Sequence, residues 1–153
     1  MGFKEAVRTC LREKYAVFSG RACRSEFWYF MLFMYLVPIV LGILGLILID
    51  IDRLTAEDMN SMISTIIIVY GAAGGLIVLA TILPGISVAV RRFHDVNLSG
   101  WWILACIIGS AIPFVGIIGT LAPFVIGLIK GTDGDNKFGP DPLVQRHTAD
   151  VFA

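Results

Sequence analysis

Residues 101–129 read WWILACIIGSAIPFVGIIGTLAPFVIGLI, and the number of times this stretch crosses a bilayer decides the fold. It holds no Asp, Glu, Lys or Arg. A helix of that length reaches ~43 Å, enough for one tilted crossing of ~30 Å of hydrocarbon and short for two full ones. Pro113-Phe114-Val115-Gly116 stands in its middle, where proline removes a helical donor and glycine favours a tight turn. Residues 27–49 and 62–90 are equally free of charge, and each exceeds the ~20 residues needed to span. With 57% hydrophobic residues and a mean hydropathy of +0.82, the chain reads as a polytopic membrane protein rather than a soluble domain.

The distribution of charge arbitrates the fold of 101–129. The 12 Lys and Arg balance the 12 Asp and Glu, so bulk electrostatics point to no nucleic-acid partner. The basic residues nevertheless cluster before 27, at Arg91 and Arg92, and after 129, whereas Asp50, Asp52, Glu57 and Asp58 share 50–61 with Arg53 alone. If 101–129 folds back, every Lys and Arg except Arg53 lies on one side. A single crossing would send Lys130, Lys137 and Arg146 to the other side. Positively charged segments stay in the cytosol, which favours the fold-back. The expected architecture is therefore an all-α integral membrane protein, a small polytopic helical bundle forming a single domain over 1–153. It comprises an amphipathic interfacial helix (3–18), span 1 (27–49), span 2 (62–90), a Pro/Gly-broken helical hairpin (101–129) and a cytosolic tail (130–153). Three full spans are the alternative. Both termini are expected in the cytosol.

The interfacial helix rests on Phe3, Val7, Cys10, Leu11, Tyr15 and Phe18, spaced by three or four, with Lys4, Arg8, Arg12 and Glu13 between them. A helix packed on the protein's own loops is the other reading. The first apolar run starts late, is long and lacks a small-residue cleavage pattern, so it is expected to remain as an anchor. Cys10, Cys23 and Cys106 form no CxxC and are expected as reduced thiols. Thr55-Ala56-Glu57-Asp58 resembles a capped helix start. Pro38 marks a kink in span 1, and Pro84-Gly85 a bend in span 2. Gly71-x-x-x-Gly75 offers a close helix crossing.

Polar residues are densest at three span boundaries: Phe18–Trp28, Arg91–Trp102 and Lys130–Pro142. They carry the patterns F-x-G-R-x-x-R-x-E-F-W, R-R-x-H-D-x-x-x-S-G-W-W and G-T-x-G-x-N-x-[FY]-G-P-D-P. In this order, from about Tyr15 to Pro142, they closely resemble the bacterial inner-membrane family called domain of unknown function 805. The resemblance implies a bacterial cytoplasmic-membrane protein and brings no catalytic residue, substrate or cofactor with it. The length of 101–129 and its extra glycines depart from the short family members.

Read as chemistry, Arg21 and Arg24 are three apart, and on a helix they would share a face, able to fork onto lipid phosphates or pair with Glu26 or Asp95. The simpler role for such arginines is to stop at the interface, because crossing is costly. His94 beside Asp95 suggests general-base chemistry, but adjacent residues on a helix point apart, so the dyad lacks geometric support. Ser99 reads as the cap of the next helix, and Trp101 and Trp102 as headgroup-level anchors. Asp133-x-Asp135 starts like a calcium loop and fails at Lys137, Phe138 and Val144. No metal or cofactor is implied. Asn136 and Asp141 are expected to bond backbone or the Arg/His cluster.

Three functions follow. The favoured one is non-enzymatic recognition of a partner protein or anionic lipid headgroup at the cytosolic face. Its candidate residues are Arg21, Arg24, Glu26, Arg91, Arg92, His94, Asp95, Ser99, Trp101, Trp102, Asn136 and Asp141. Membrane lipids and a membrane-protein partner or homo-oligomer are the implied contacts. A second reading is an oligomeric channel or carrier for a neutral solute, since the apolar runs lack the ionisable group a proton-coupled carrier needs. The third, an interfacial enzyme acting on a lipid phosphate, lacks a recognisable nucleophile or phosphate loop.

Overall fold

The computed structural model describes residues 1–48 and 56–144. Every regular element among them is helical: α1 (Phe3–Arg8), α2 (Arg24–Leu48), α3 (Ala56–Asp95), α4 (Trp101–Ser110) and α5 (Gly116–Leu128). Among the described residues two stretches are long and apolar enough to cross a membrane, Arg24–Leu44 and Gly74–Asp95, and α4 and α5 are shorter apolar helices. The contacts divide the chain into two compact units. One joins Met1–Met31 to Leu83–Ala153, and the other is Leu32–Ile82. The long helices α2 and α3 contribute to both.

Within the first unit, α2 begins where α3 ends. The Ala22 N–H donates to the Arg91 carbonyl at 3.0 Å, fixing this meeting of chain segments distant in sequence. The third apolar run is two helices packed on each other, broken at 111–115 where the proline and glycine sit. At ~1.5 Å per residue α4 and α5 measure ~15 and ~20 Å, so neither matches a full hydrocarbon layer. Their crossing is tight because of glycine. A Cβ added at Gly119 would lie 2.6 Å from both the Cys106 carbonyl and the Ser110 nitrogen. The turn itself puts a non-glycine residue in the left-handed region, Phe114 at φ 67°. That conformation turns the chain back while leaving Phe114 97% exposed.

Three expectations about the elements need correction. The N-terminal helix stops well short of Phe18: after α1 one wider turn, Thr9–Glu13, closes with the Lys14 N–H on the Thr9 carbonyl at 2.7 Å. Its buried side is Ala6, Thr9 and Cys10, while Phe3, Val17 and Phe18 stay exposed. The segment after it is held on the protein's own α3, whose Ser87 hydroxyl donates to the Lys14 carbonyl at 3.2 Å and contacts that of Tyr15 at 3.4 Å. Lys14 and Tyr15 are thus fastened to the protein's own α3. Second, α3 continues through Pro84-Gly85 to Asp95, so Arg91–Asp95 form its last turn rather than a link. The Ser87 hydroxyl also contacts the Pro84 carbonyl at 3.1 Å, three residues back in the same helix. Third, a Cβ added at Gly71, Gly74 or Gly75 meets nothing within 4 Å among the described residues. The close crossing is at Gly109 and Gly119 instead. The cap expected at Thr55 and the tail beyond 144 lie outside the described residues.

Candidate functional site

The first unit gathers all three polar boundary segments into one network. Gly20, at φ 81°, turns the chain in a conformation other residues rarely adopt, and Arg21–Cys23 then run extended up to α2. Arg21 therefore precedes the helix and does not share a face with Arg24. The two side chains separate completely. Arg21 is buried and its Nε donates to Asp95 Oδ1 at 2.9 Å. Its remaining donors reach the carbonyls of Thr132, Gly134 and Gly139. Arg24 is exposed, with one long bond to the Leu128 carbonyl at 3.4 Å.

Asp95 accepts from two arginines at once. Oδ1 takes Arg21, and Oδ2 takes Arg92 one helical turn back. Arg92 is also buried, and its other donors reach the carbonyls of Ala22 (3.4 Å), Ile126 (3.2 Å) and Ile129. Those last carbonyls belong to the exit of α5, where helical partners run out, so the guanidinium caps a helix end. Arg91 points elsewhere, into a second buried pair with Glu26 Oε1. Cys10 lies beside this pair, 3.9 Å from Glu26 Oε1 and 4.0 Å from Arg91 Nη2. Burial, reinforced by the Glu26 charge, pushes the Cys10 thiol up to about 12. The Arg91 Nε is buried without a hydrogen-bond partner among the described residues.

The segment 130–143 forms a strap over the end of α3. The Thr132 N–H and hydroxyl both donate to the Asp95 carbonyl, at 2.8 and 3.0 Å. Asn136 Nδ2 donates to the His94 carbonyl at 2.9 Å, and Asn136 Oδ1 accepts from the Phe138 N–H. Gly131 packs directly on the Asp95 carboxylate, where an added Cβ would fall 2.6 Å from its Cγ. Asp141 fastens the strap to itself, accepting from the N–H groups of Leu143 at 2.8 Å and Gly134 at 3.1 Å. The Leu143 bond, the Gly134 bond and nearby Arg21 hold its carboxyl below the usual range.

His94 and Asp95 do not form a dyad. The His94 ring lies 3.9 Å from Phe138, centroid to centroid and nearly parallel, with Nδ1 at 3.1 Å from the Gly20 carbonyl. Asp95 faces its arginines instead. Ser99 precedes α4, its hydroxyl 3.4 Å from the Trp101 N–H, while Gly100 occupies the cap position. Trp101 and Trp102 are exposed and stand apart from the ion pairs. No group of three or more His, Cys, Asp or Glu that could hold a metal occurs among the described residues.

The described surface beside this network contains a cleft of about 260 Å³ between Arg24 and Ser25 on one side and Lys130–Asp133 and Pro142–Leu143 on the other. Adjoining it, and sharing Arg24 and Ser25, is a groove of about 470 Å³ floored by Trp28, Tyr29 and Leu128. Trp28 is positioned by its Nε1, which donates to the Gly127 carbonyl at 3.1 Å. Gly127 is required beneath it, because a Cβ there would meet the Phe27 ring at 2.6 Å.

The three motifs are therefore one structural unit, a coherence that suits a single family. Residues 15–140 match the family described as "Protein of unknown function (DUF805)". The chain belongs to this family. Two inner membrane proteins of Escherichia coli K12 are similar to this DUF805 member along most of their length. YhaH is 33% identical over 133 residues, covering 87% of this chain and 93% of YhaH. YhaI is 34% identical over 131 residues, covering 85% and 89%. No solved structure matches.

Sequence reasoning did not single out Lys130, Ser25, Gly131 or Thr132, nor the Cys10 contact. Lys130 and Ser25 stood inside the quoted motifs, but only the fold places them across a cleft from each other. Thr132, Gly134 and Gly139 serve mainly through backbone carbonyls, which leave no side-chain signature; the glycine density of 131–139 was the one visible signal.

Proposed function

We propose that this DUF805 member is a non-enzymatic inner-membrane protein that binds an anionic group, phosphate or carboxylate, at the cytosolic ends of its helices. One observation carries the reading. Arg21 and Arg92 share Asp95 and Arg91 pairs with Glu26, whereas Arg24 has no carboxylate partner among the described residues and Lys130 has only the exposed Asp133, at 2.8 Å. These two cations edge an open cleft supported by a rigid base. Cations beside a cavity favour charge-assisted bonds to an anion without any covalent step. The expected topology has both termini in the cytosol, with the α4–α5 hairpin entering the membrane from that side, because this arrangement keeps every Lys and Arg except Arg53 inside.

Two measurements test this. A reporter fused after Ala153 should be active only in the cytosol; activity on the far side would remove the face on which the cleft is placed. In mild detergent, inorganic phosphate or pyrophosphate should raise the Tm of the full-length protein, by linkage to binding. Arg24→Gln with Lys130→Gln should abolish that rise while leaving the ligand-free Tm within a degree or two. An equal rise in the double variant would refute the site.

A further inference from the structure

We infer that the anion is the headgroup of a phospholipid, seated with its phosphate on Arg24 and an acyl chain in the groove over Leu128 and Trp28. The inference rests on the anion-binding reading above and adds the class of ligand. Its warrant is one boundary shared by two cavities with different linings. The cleft beside Lys130 is lined by charged side chains of both signs, Arg21, Arg24, Arg92 and Lys130 against Asp95, Asp133 and Asp141, and the groove next to it is built from Trp28, Tyr29 and Leu128. Arg24 and Ser25 line both. A free phosphate would use the cleft alone and leave the groove empty. An amphiphile with its charge a few bonds from an alkyl chain matches both surfaces.

The polar groups at this boundary are held loosely enough to be exchanged. The Arg24 bond to the Leu128 carbonyl is 3.4 Å, near the limit for a hydrogen bond, and a bidentate bond to phosphate is shorter and stronger. Among the described residues the Ser25 hydroxyl contacts the Cys23 sulfur at 3.2 Å, a weak partner. Both residues belong to the first turn of a 25-residue helix, whose end carries partial positive charge. On the apolar side, Leu128 is 64% exposed although it ends a helix of high apolar content. Trp28 is locked by the Gly127 carbonyl and by edge contact with Phe27, ring centroids 5.5 Å apart. The groove floor is thus pre-formed, and an acyl chain adds contact without ordering new side chains. The charge requirement favours an anionic headgroup. The phosphate of a zwitterionic lipid brings its own cation, which Arg24 and Lys130 would repel.

The test uses native mass spectrometry on the full-length protein in mild detergent with equimolar phosphatidylglycerol and phosphatidylcholine of identical chains. Phosphatidylglycerol should be retained about tenfold over phosphatidylcholine, and Arg24→Gln should erase that preference. Leu128→Ser should cut phosphatidylglycerol retention several-fold while leaving the Tm rise produced by inorganic phosphate intact, which separates a lipid site from a free-anion site. Lys130→Gln, at an exposed position, is the second headgroup variant should Arg24→Gln lose its monodisperse profile. Equal retention of the two lipids, or an unchanged preference in a folded Arg24 or Lys130 variant, overturns the lipid inference. A phosphate-induced Tm rise without lipid preference leaves anion binding standing and removes the lipid. Absence of both removes the two together.

Discussion

At Gly71, Gly74 and Gly75 an added methyl group would meet nothing among the described residues, whereas at Gly127 and Gly131 it would strike the Phe27 ring and the Asp95 carboxylate. The same residue type thus does different work in the two compact units. In the unit Leu32–Ile82, most described apolar side chains, such as Ile39, Val40, Leu76 and Leu79, are exposed, as expected of surfaces facing lipid. In the unit joining Met1–Met31 to Leu83–Ala153, the largest fully buried side chains include Arg91, Arg92 and Glu26. The contrast teaches that apolar content marks where the chain lives, while a few charged residues determine its detailed shape. Apolar helices in lipid have little hydrophobic reason to choose one partner over another. Buried ion pairs do, because any other arrangement leaves a charge without a partner.

Breaking Asp95 should do the most damage. Asp95→Ala leaves Arg21 and Arg92 buried without their shared acid, and destabilisation of ~3–5 kcal/mol is expected, read as loss of monodisperse protein or of cooperative unfolding in detergent. Wild-type behaviour would show the cluster to be dispensable. Glu26→Gln should rank next, at ~2–3 kcal/mol, since the neutral amide still offers Arg91 an acceptor. The glycine comparison sharpens the contrast further. Gly131→Ala should cost ~1–3 kcal/mol by displacing the strap, while Gly74→Ala should be neutral or stabilise by up to ~1 kcal/mol. Equal effects would erase the distinction between the units. Cys10, held at about 12, should react with iodoacetamide at pH 8 about a thousandfold more slowly than a free thiol in the folded protein. Mass spectrometry of quenched samples would detect it.

The smallest effect concerns acid. Asp141 has a lowered pKa in the folded state, so its contribution is fully present above the ordinary carboxylate pKa and is lost as pH falls through the lowered value. Asp141→Asn should therefore reduce stability slightly at pH 7 and flatten the loss of stability at low pH. A variant whose acid profile overlays the wild type would remove Asp141 from that account.

Much of this architecture could be read from the residues. The three charge-free runs fall on α2, α3 and the α4–α5 pair, and the break at Pro113–Gly116 followed from residues with few alternatives to a turn. The paths of Arg21 and Arg24 could not be read. Three positions apart with identical side chains, they part because Arg21 precedes α2 and meets Asp95, 74 residues away, whereas Arg24 opens the helix. The end of α3 was obscured for a related reason. Arg91 and Arg92 read as boundary residues free to meet a headgroup or partner, because nothing local announces that Glu26 and Asp95 are waiting to receive them. Likewise the stripe Phe3–Phe18 suggested a longer helix, which stops where hydrogen bonds from Ser87 hold the backbone of Lys14 and Tyr15.

The strap across Asp95 leaves the ribosome after α1 to α5, because it follows them in the chain. Until Gly131 through Gly139 emerge, Arg21 lacks the carbonyls that receive three of its hydrogen bonds, and the base of the bundle is an unfinished joint. Insertion of the helices and completion of the fold are then separate events in time. A nascent protein stalled just after α5 would already sit in the membrane, yet display a raw cationic edge that its finished counterpart conceals.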